Sequence, residues 1–252
     1  MQEKPEVGKK VVQMWLSVDP MAHKLPSMSA YMYCAGNPVR LIDPDGRIFI
    51  DANNNRVNVK VGKNGSLDYR FSKGTSDGVR NEFLNNHSPA LSALANTKDG
   101  RSAIKFMNNI STEIEIKPDN QNPADRHSTV SIATDKNGNV KMYDGVYDKV
   151  TIIPHMGSIN ETAREQNVDV DEILGAVMMV ESGHLGIRQI PIDQKNKTES
   201  EQYENLLNDY IDFRYNYRTG KNQKLDKTIF KNNSGIDIKL NKQNQQRFNE
   251  IE

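Results

Sequence analysis

An α+β fold is what this sequence predicts, and three observations predict it. Between Arg56 and Ile153 apolar and polar residues repeatedly alternate between Gly- and Asn-rich turns, the period of half-buried strands. From Ser158 the apolar spacing lengthens to that of amphipathic helices. Only 36% of the 252 residues are hydrophobic and the mean hydropathy is −0.73. That supplies one modest core but not the whole length, so part of the chain is expected as extension or tail.

The first segment, 1–47, is read as a turn-rich plug. It contains Asp19-Pro20, Asn37-Pro38 and Asp43-Pro44, steps that initiate turns and disfavour helix in the preceding residue. Asp43-Pro-Asp-Gly46 closes it. Strands are then expected at 48–51, 56–61 and 66–71, a small antiparallel meander with a Gly-Lys-Asn-Gly turn. Val79, Phe83, Leu84, Leu91 and Leu94 have helical spacing, with Pro89 expected to break or kink the helix, and Arg101 to Ile110 follows as a second. Strands return at 112–117, 127–134, 140–143 and 149–153, the middle pair joined by the hairpin sequence Asp135-Lys-Asn-Gly-Asn139. A helix at 158–166 opens on Ser158 as cap with Glu161 three residues on. The next, 169–186, places Ile173, Leu174, Val177 and Met178 on one face, and a third fits 199–218. Domain organisation is therefore expected as 1–47, then a unit 48–218 that is β-rich to 155 and helical from 156, then a polar, loosely held tail 219–252.

Charge and cysteine content exclude several classes. Lys+Arg and Asp+Glu both number 33, so no global field steers the chain to nucleic acid. The one cysteine, Cys34, excludes an internal disulfide and a Cys-rich zinc site, so any metal falls to His and carboxylates. No apolar run is long enough for membrane insertion, and the N-terminus lacks the apolar segment of a secretory signal. Export would need another carrier.

Trp15-Leu-Ser-Val-Asp-Pro20, Pro26-Ser, Tyr31-Met-Tyr-Cys-Ala-Gly-Asn-Pro-Val39 and Ile42-Asp-Pro-Asp-Gly-Arg47 closely resemble the end of the Rhs (YD-repeat) core-associated domain. The resemblance covers roughly residues 14 to 47. It implies a β-shell that encloses a variable C-terminal toxin, delivered to a target cell by a secretion system and neutralised in the producer by a cognate immunity protein. In that family an acidic pair in two Asp-Pro motifs is associated with self-cleavage that frees the tip. The matching residues are Asp19 and Asp43, two carboxylates that could work as acid and base.

Everything after Arg47 is then cargo, and its most informative stretch is Val170 to Gly186. An apolar helix interrupted by Glu181 and His184 puts both polar side chains on one face. Val180-Glu-Ser-Gly-His184 resembles the His-Glu-x-x-His motif of zinc peptidases, in which two His bind zinc and the Glu activates water. The resemblance implies zinc as cofactor, Glu181 as catalytic residue and His184 as ligand, with Glu204 or Glu201 as the third ligand from the next helix. Val180 occupies the first ligand position and cannot bind metal, so His155 or His127 would have to replace it. The motif is degenerate.

The same stretch also resembles lytic transglycosylases, with a catalytic Glu followed by Ser near the end of an apolar helix, and Gly186-Ile-Arg-Gln-Ile-Pro191 is similar to their later Gly-x-x-Gln-x-x-Pro element. A shorter connection separates the two here. A non-catalytic binding module is the third reading: Glu181 and His184 pair and finish the helix, with Gly183 and Gly186 as punctuation. Other residues point less clearly. His87 reads as a turn residue, and Asp125-Arg-His127 before Ser128 as a loop. Tyr203, Tyr210, Phe213, Tyr215 and Tyr217 are too dense for one helix face. The sequence expectation is an Rhs-type toxin tip with a zinc-peptidase-like domain, and a peptidoglycan-cleaving domain using Glu181 as the alternative.

Overall fold

The computed structural model describes residues 49–110, 112–121, 126–143, 146–188, 199–230 and 239–251, with the backbone alone at 142–143, 146, 186–188 and 199–204. The chain divides into Met1–Asp45 and Gly46–Glu252, and all described residues lie in the second unit. The plug 1–47, with Asp19 and Asp43, lies outside the described residues.

Described residues form a mixed α+β fold. Phe49 bridges in parallel to Ile114 and Ile50 bridges to Arg56, so 48–51 contributes isolated bridges rather than the first strand of a meander. The turn between is built by Asp51, whose Oδ1 accepts the amides of Asn53 and Asn55, each at 2.9 Å. Strand β1 (Val57–Val61) pairs antiparallel with β2 (Leu67–Phe71). Helix α1 (Asp77–Ala95) then runs unbroken through Pro89. Burial on both sides of the proline explains this: Phe83 and His87 before it and Ala90, Leu91, Ala93 and Leu94 after it are all core residues. Helix α2 (Lys98–Met107) starts at Thr97, whose hydroxyl accepts the Gly100 amide at 3.0 Å.

Strands β3 (Glu113–Ile116), β4 (Ser128–Ile132), β5 (Met142–Tyr143), β6 (Val146–Tyr147) and β7 (Lys149–Pro154) follow. The main sheet has the order β3-β7-β4, with β3 parallel and β4 antiparallel to β7. The Asp135–Asn139 turn forms, and Thr134 bridges Val140, but the ladder partner of β4 is β7 and that of β5 is β6. Non-local pairing replaced the local hairpin because it buries Val150 and Ile152 of β7 on the helix-facing side.

Helix α3 (Met156–Glu165) begins two residues before the expected cap; its N-cap is His155, without a side-chain capping bond, and Ser158 lies inside the first turn. Helix α4 (Val170–Arg188) is the centre of the fold, with Ile173, Leu174, Val177 and Met178 buried as its spacing implied and Ala176 buried beside them. It packs against α1 and α5 (Glu199–Gly220). Gly175 permits this approach: a Cβ there would lie 2.3 Å from Phe213 Cζ and 2.8 Å from the Ala93 carbonyl. A buried charge cluster fixes the register of α4 against α5. Glu172, 0% exposed, accepts Arg214 Nε at 2.7 Å and Arg218 Nε at 3.0 and 3.1 Å.

The described residues after Gly220 pack against α5 and do not form the loosely held tail expected from the sequence. Ile229 and Phe230, in a short 3-10 turn, join Ile211 and Ile251 in a second apolar cluster. Helix α6 (Lys242–Glu250) completes it, with buried Asn244 donating to Asn208 Oδ1 at 3.0 Å. The apolar residues are too widely spaced to show a period, but they meet on the outer side of α5.

Candidate functional site around Glu181

Glu181 and His184 stand three residues apart on α4, and their side chains do meet: His184 Nδ1 lies 3.0 Å from Glu181 Oε2. The second carboxylate oxygen is held from the sheet, where Ser128 Oγ donates to Oε1 at 2.6 Å. Glu181 is 5% exposed, so both oxygens find fixed donors inside the protein. The His184 side chain is 29% exposed and is the part of the pair that solvent reaches.

An ionised carboxylate only accepts hydrogen bonds, so the proton in the contact belongs to His184 Nδ1. Nε2 is then the lone-pair nitrogen. A buried carboxylate that orients an imidazole in this tautomer has the geometry for acid–base chemistry, because it leaves Nε2 free to accept a proton and would stabilise the imidazolium that results. Ser128 holds the carboxylate in place and is the residue sequence reasoning missed. Its place in the expected strand 127–134 says nothing of its partner, which lies 53 residues away.

The glycines after Glu181 are not helix punctuation, since α4 continues to Arg188. Gly183 is a point of close approach to α5: a Cβ there would lie 2.5 Å from Leu206 Cδ2 and 3.6 Å from Asp209 Oδ2. Burial, reinforced by the charges of Asp212 and Asp99, pushes the Asp209 carboxyl up to about 6. No spacing rule singled out Asp209, because its environment comes from three helices.

The other described histidines are committed elsewhere. His155 Nε2 lies 2.7 Å from Thr129 Oγ1 and its Nδ1 is 3.5 Å from Asp119 Oδ2. His127 Nε2 lies 2.9 Å from Thr162 Oγ1, and its pKa is lowered by burial and then by the nearby Arg214 charge. His87, expected in a turn, is inside α1 and 2% exposed. Its Nδ1 donates to the Phe83 carbonyl at 3.1 Å and its Nε2 accepts the Ile116 amide at 3.0 Å, which ties helix to sheet.

The fit of zinc to this site rests on few donors. Val180 offers none, and neither His155 nor His127 replaces it, since each has its own partner described above. Among the described residues no three His, Cys, Asp or Glu side chains gather as a metal set. Glu201 and Glu204 lie on α5, and their side chains are outside the described residues. The donors in view do not complete a zinc site. No protein-family model, curated protein or solved structure matches the chain.

Proposed function

We propose that the chain is the effector tip of an Rhs-type polymorphic toxin used in competition between bacteria, and that its activity is hydrolytic, centred on Glu181 and His184 of a zinc-peptidase-like helix with a degenerate motif. The ordered motifs from Trp15 to Arg47 support the toxin assignment. One observation supports the site: a Glu181 carboxylate 5% exposed, bonded on one oxygen by Ser128 and on the other by His184. Such enclosure of an anion is costly unless its lone pairs are matched, and here one of the matching donors is an imidazole that solvent reaches, the feature that distinguishes this carboxylate from the sealed Glu172 cluster.

In this reading His184 Nε2 is the general base that takes a proton from water or a substrate hydroxyl, and Glu181 stabilises the imidazolium formed. Ser128 fixes the carboxylate. Zinc would require His184 with Glu201 or Glu204 and a further donor in place of Val180, so no step is assigned to it. Direct proton donation by Glu181 to a glycosidic oxygen, the glycan-cleaving alternative, needs a carboxyl open to substrate, and the enclosure of Glu181 disfavours it. The partners proposed are the Rhs shell of a full-length carrier and a cognate immunity protein, with release from a delivery system. Nucleic-acid binding and membrane insertion form no part of the proposal; among the described residues no helix is long and apolar enough to cross a membrane.

Inducible expression in a bacterial host, with and without the gene immediately downstream, tests the assignment. Growth arrest that the downstream gene relieves is the expected result. A chain that is abundant, folded and harmless in every compartment to which it is directed would overturn it.

A further inference from the structure

A second polar constellation occupies the other side of β4. Strand alternation sends the adjacent residues Ser128 and Thr129 to opposite faces: Ser128 reaches Glu181, and Thr129 reaches His155. Thr129 Oγ1 is 2.7 Å from His155 Nε2, and across the ring His155 Nδ1 faces Asp119 Oδ2 at 3.5 Å. Nδ1 is buried and has no hydrogen-bond partner in this geometry, so the Asp119 carboxylate is the acceptor poised for it. Because that carboxylate accepts only, it favours the proton on Nδ1 and leaves a lone pair on Nε2, toward which the Thr129 hydroxyl donates.

Backbone bonds hold the three residues where β7 passes into α3. The Asp119 amide donates to the Pro154 carbonyl, and the Met156 amide donates to the Asp119 carbonyl, each at 2.8 Å. The Gln121 amide bonds Asp119 Oδ1 at 2.9 Å, which leaves Oδ2 to face the ring. The His155 amide donates to the His127 carbonyl at 2.8 Å. The His155 side chain is 12% exposed and that of Asp119 40%, so the relay is anchored inside but opens at its rim.

We propose that Thr129, His155 and Asp119 form a nucleophile, base and carboxylate site that takes carboxylic esters, separate from Glu181 and independent of the reading given for it. The Thr129 Oγ1 lone pair forms a bond to the acyl carbon while its proton passes to His155 Nε2. The ester C–O bond breaks with its electron pair on the leaving alcohol oxygen, which takes the proton from Nε2. Water then attacks the acyl-threonine, giving its proton to Nε2 and releasing the carboxylic acid, and Nε2 returns the proton to Thr129 Oγ1. Asp119 is a positioning residue that keeps the required tautomer.

The test uses the full chain with p-nitrophenyl acetate and locates the acetyl group by peptide mass spectrometry. The expected result is acetylation of Thr129, retained in Thr129→Ser and lowered at least about tenfold in His155→Gln, as general-base contributions imply. Thr129→Val, close in shape, loses the adduct. Asp119→Asn labels more slowly and Asp119→Glu, which restores a carboxylate for Nδ1, recovers part of the rate; a purely structural role, in which the Asn side-chain oxygen keeps the Gln121 amide bond, would leave Asp119→Asn at the native rate. No acetyl group on Thr129, an equal rate in His155→Gln, or an adduct on Ser128 instead would overturn the proposal.

Discussion

Replacing Glu172 with Gln, a change that keeps the side chain's shape and removes its charge, should destabilise the protein strongly. Glu172 and Arg214 are both 0% exposed and Arg218 is 4% exposed, so none of the three charges is screened by solvent. Glu172 accepts three contacts of 2.7, 3.0 and 3.1 Å from the two guanidinium Nε atoms. The cluster is already rich in positive charge: Arg214 Nη1 and Arg218 Nη2 are buried without hydrogen-bond partners, and the other carboxylate, Asp226, is 43% exposed in its side chain. Glu172→Gln removes the only buried negative charge among these groups and turns an amide N–H toward guanidinium donors. Removing one partner of a buried pair costs about 3–5 kcal/mol, and the presence of two arginines places this case near the top. For a domain of this size that is a fall in Tm of about 10–15 °C. Urea unfolding followed by circular dichroism measures it, with the urea slope checked for two-state behaviour. Glu172→Met combined with Arg214→Met and Arg218→Leu should recover most of the loss, since the penalty lies in the uncompensated charge. A cost below about 1 kcal/mol for Glu172→Gln would refute the reasoning, because it would mean that the arginines reach water.

Other expected outcomes follow from single contacts. His87, buried and lowered from 6.5 to about 4, must stay neutral to accept the Ile116 amide, so the folded state binds fewer protons than the unfolded state between those values. Its contribution is complete above about 6.5 and is lost as pH falls toward about 4, at most about 3 kcal/mol, and His87→Gln should flatten that part of the acid-unfolding curve. Gly175→Ala places a Cβ 2.3 Å from Phe213 Cζ, and calorimetric melting should show a loss of about 1–3 kcal/mol. Val180→His adds a ligand one turn from His184 and should create or strengthen zinc binding by titration calorimetry, while the native chain binds zinc weakly or not at all. Limited proteolysis should nick near Gly46 and leave a stable fragment starting close to Ile48, since the Asp-Pro turns end there and strand-forming sequence begins.

The apolar spacing of Ile173, Leu174, Val177 and Met178 made the helix around Val177 legible, because that spacing is local, although burial runs unbroken from Glu172 to Met178 and not along one stripe. The Glu181 and His184 contact was legible for the same reason, since a separation of three on a helix is itself a distance. Pro89 misled because local propensity was set against burial, and the packing of Ala90 to Ala95 against α4 won. The pairing of β4 with β7 was hidden by a strong turn at Asp135–Asn139, which specifies a local reversal but not how far it extends. Ser128 and the Glu172 cluster were illegible in a stronger sense. A lone serine acquires meaning only when a partner on another element arrives, and a Glu in the first turn of a helix looks like ordinary dipole complementation until two arginines on α5 enclose it. Composition suggests a loose tail because it counts apolar residues but not whether three of them, Ile229, Phe230 and Ile251, converge on Ile211 of α5.

The central claim, that Glu181 with His184 is the reactive centre of a toxin, is tested most directly by expressing the native chain and Glu181→Gln at matched abundance in the same sensitive host. The amide keeps the shape of the carboxylate and can still accept from Ser128, but it cannot stabilise a protonated His184. The account predicts growth arrest by the native chain and normal growth with Glu181→Gln, with both proteins folded by circular dichroism. Equal toxicity of the two folded proteins would contradict it.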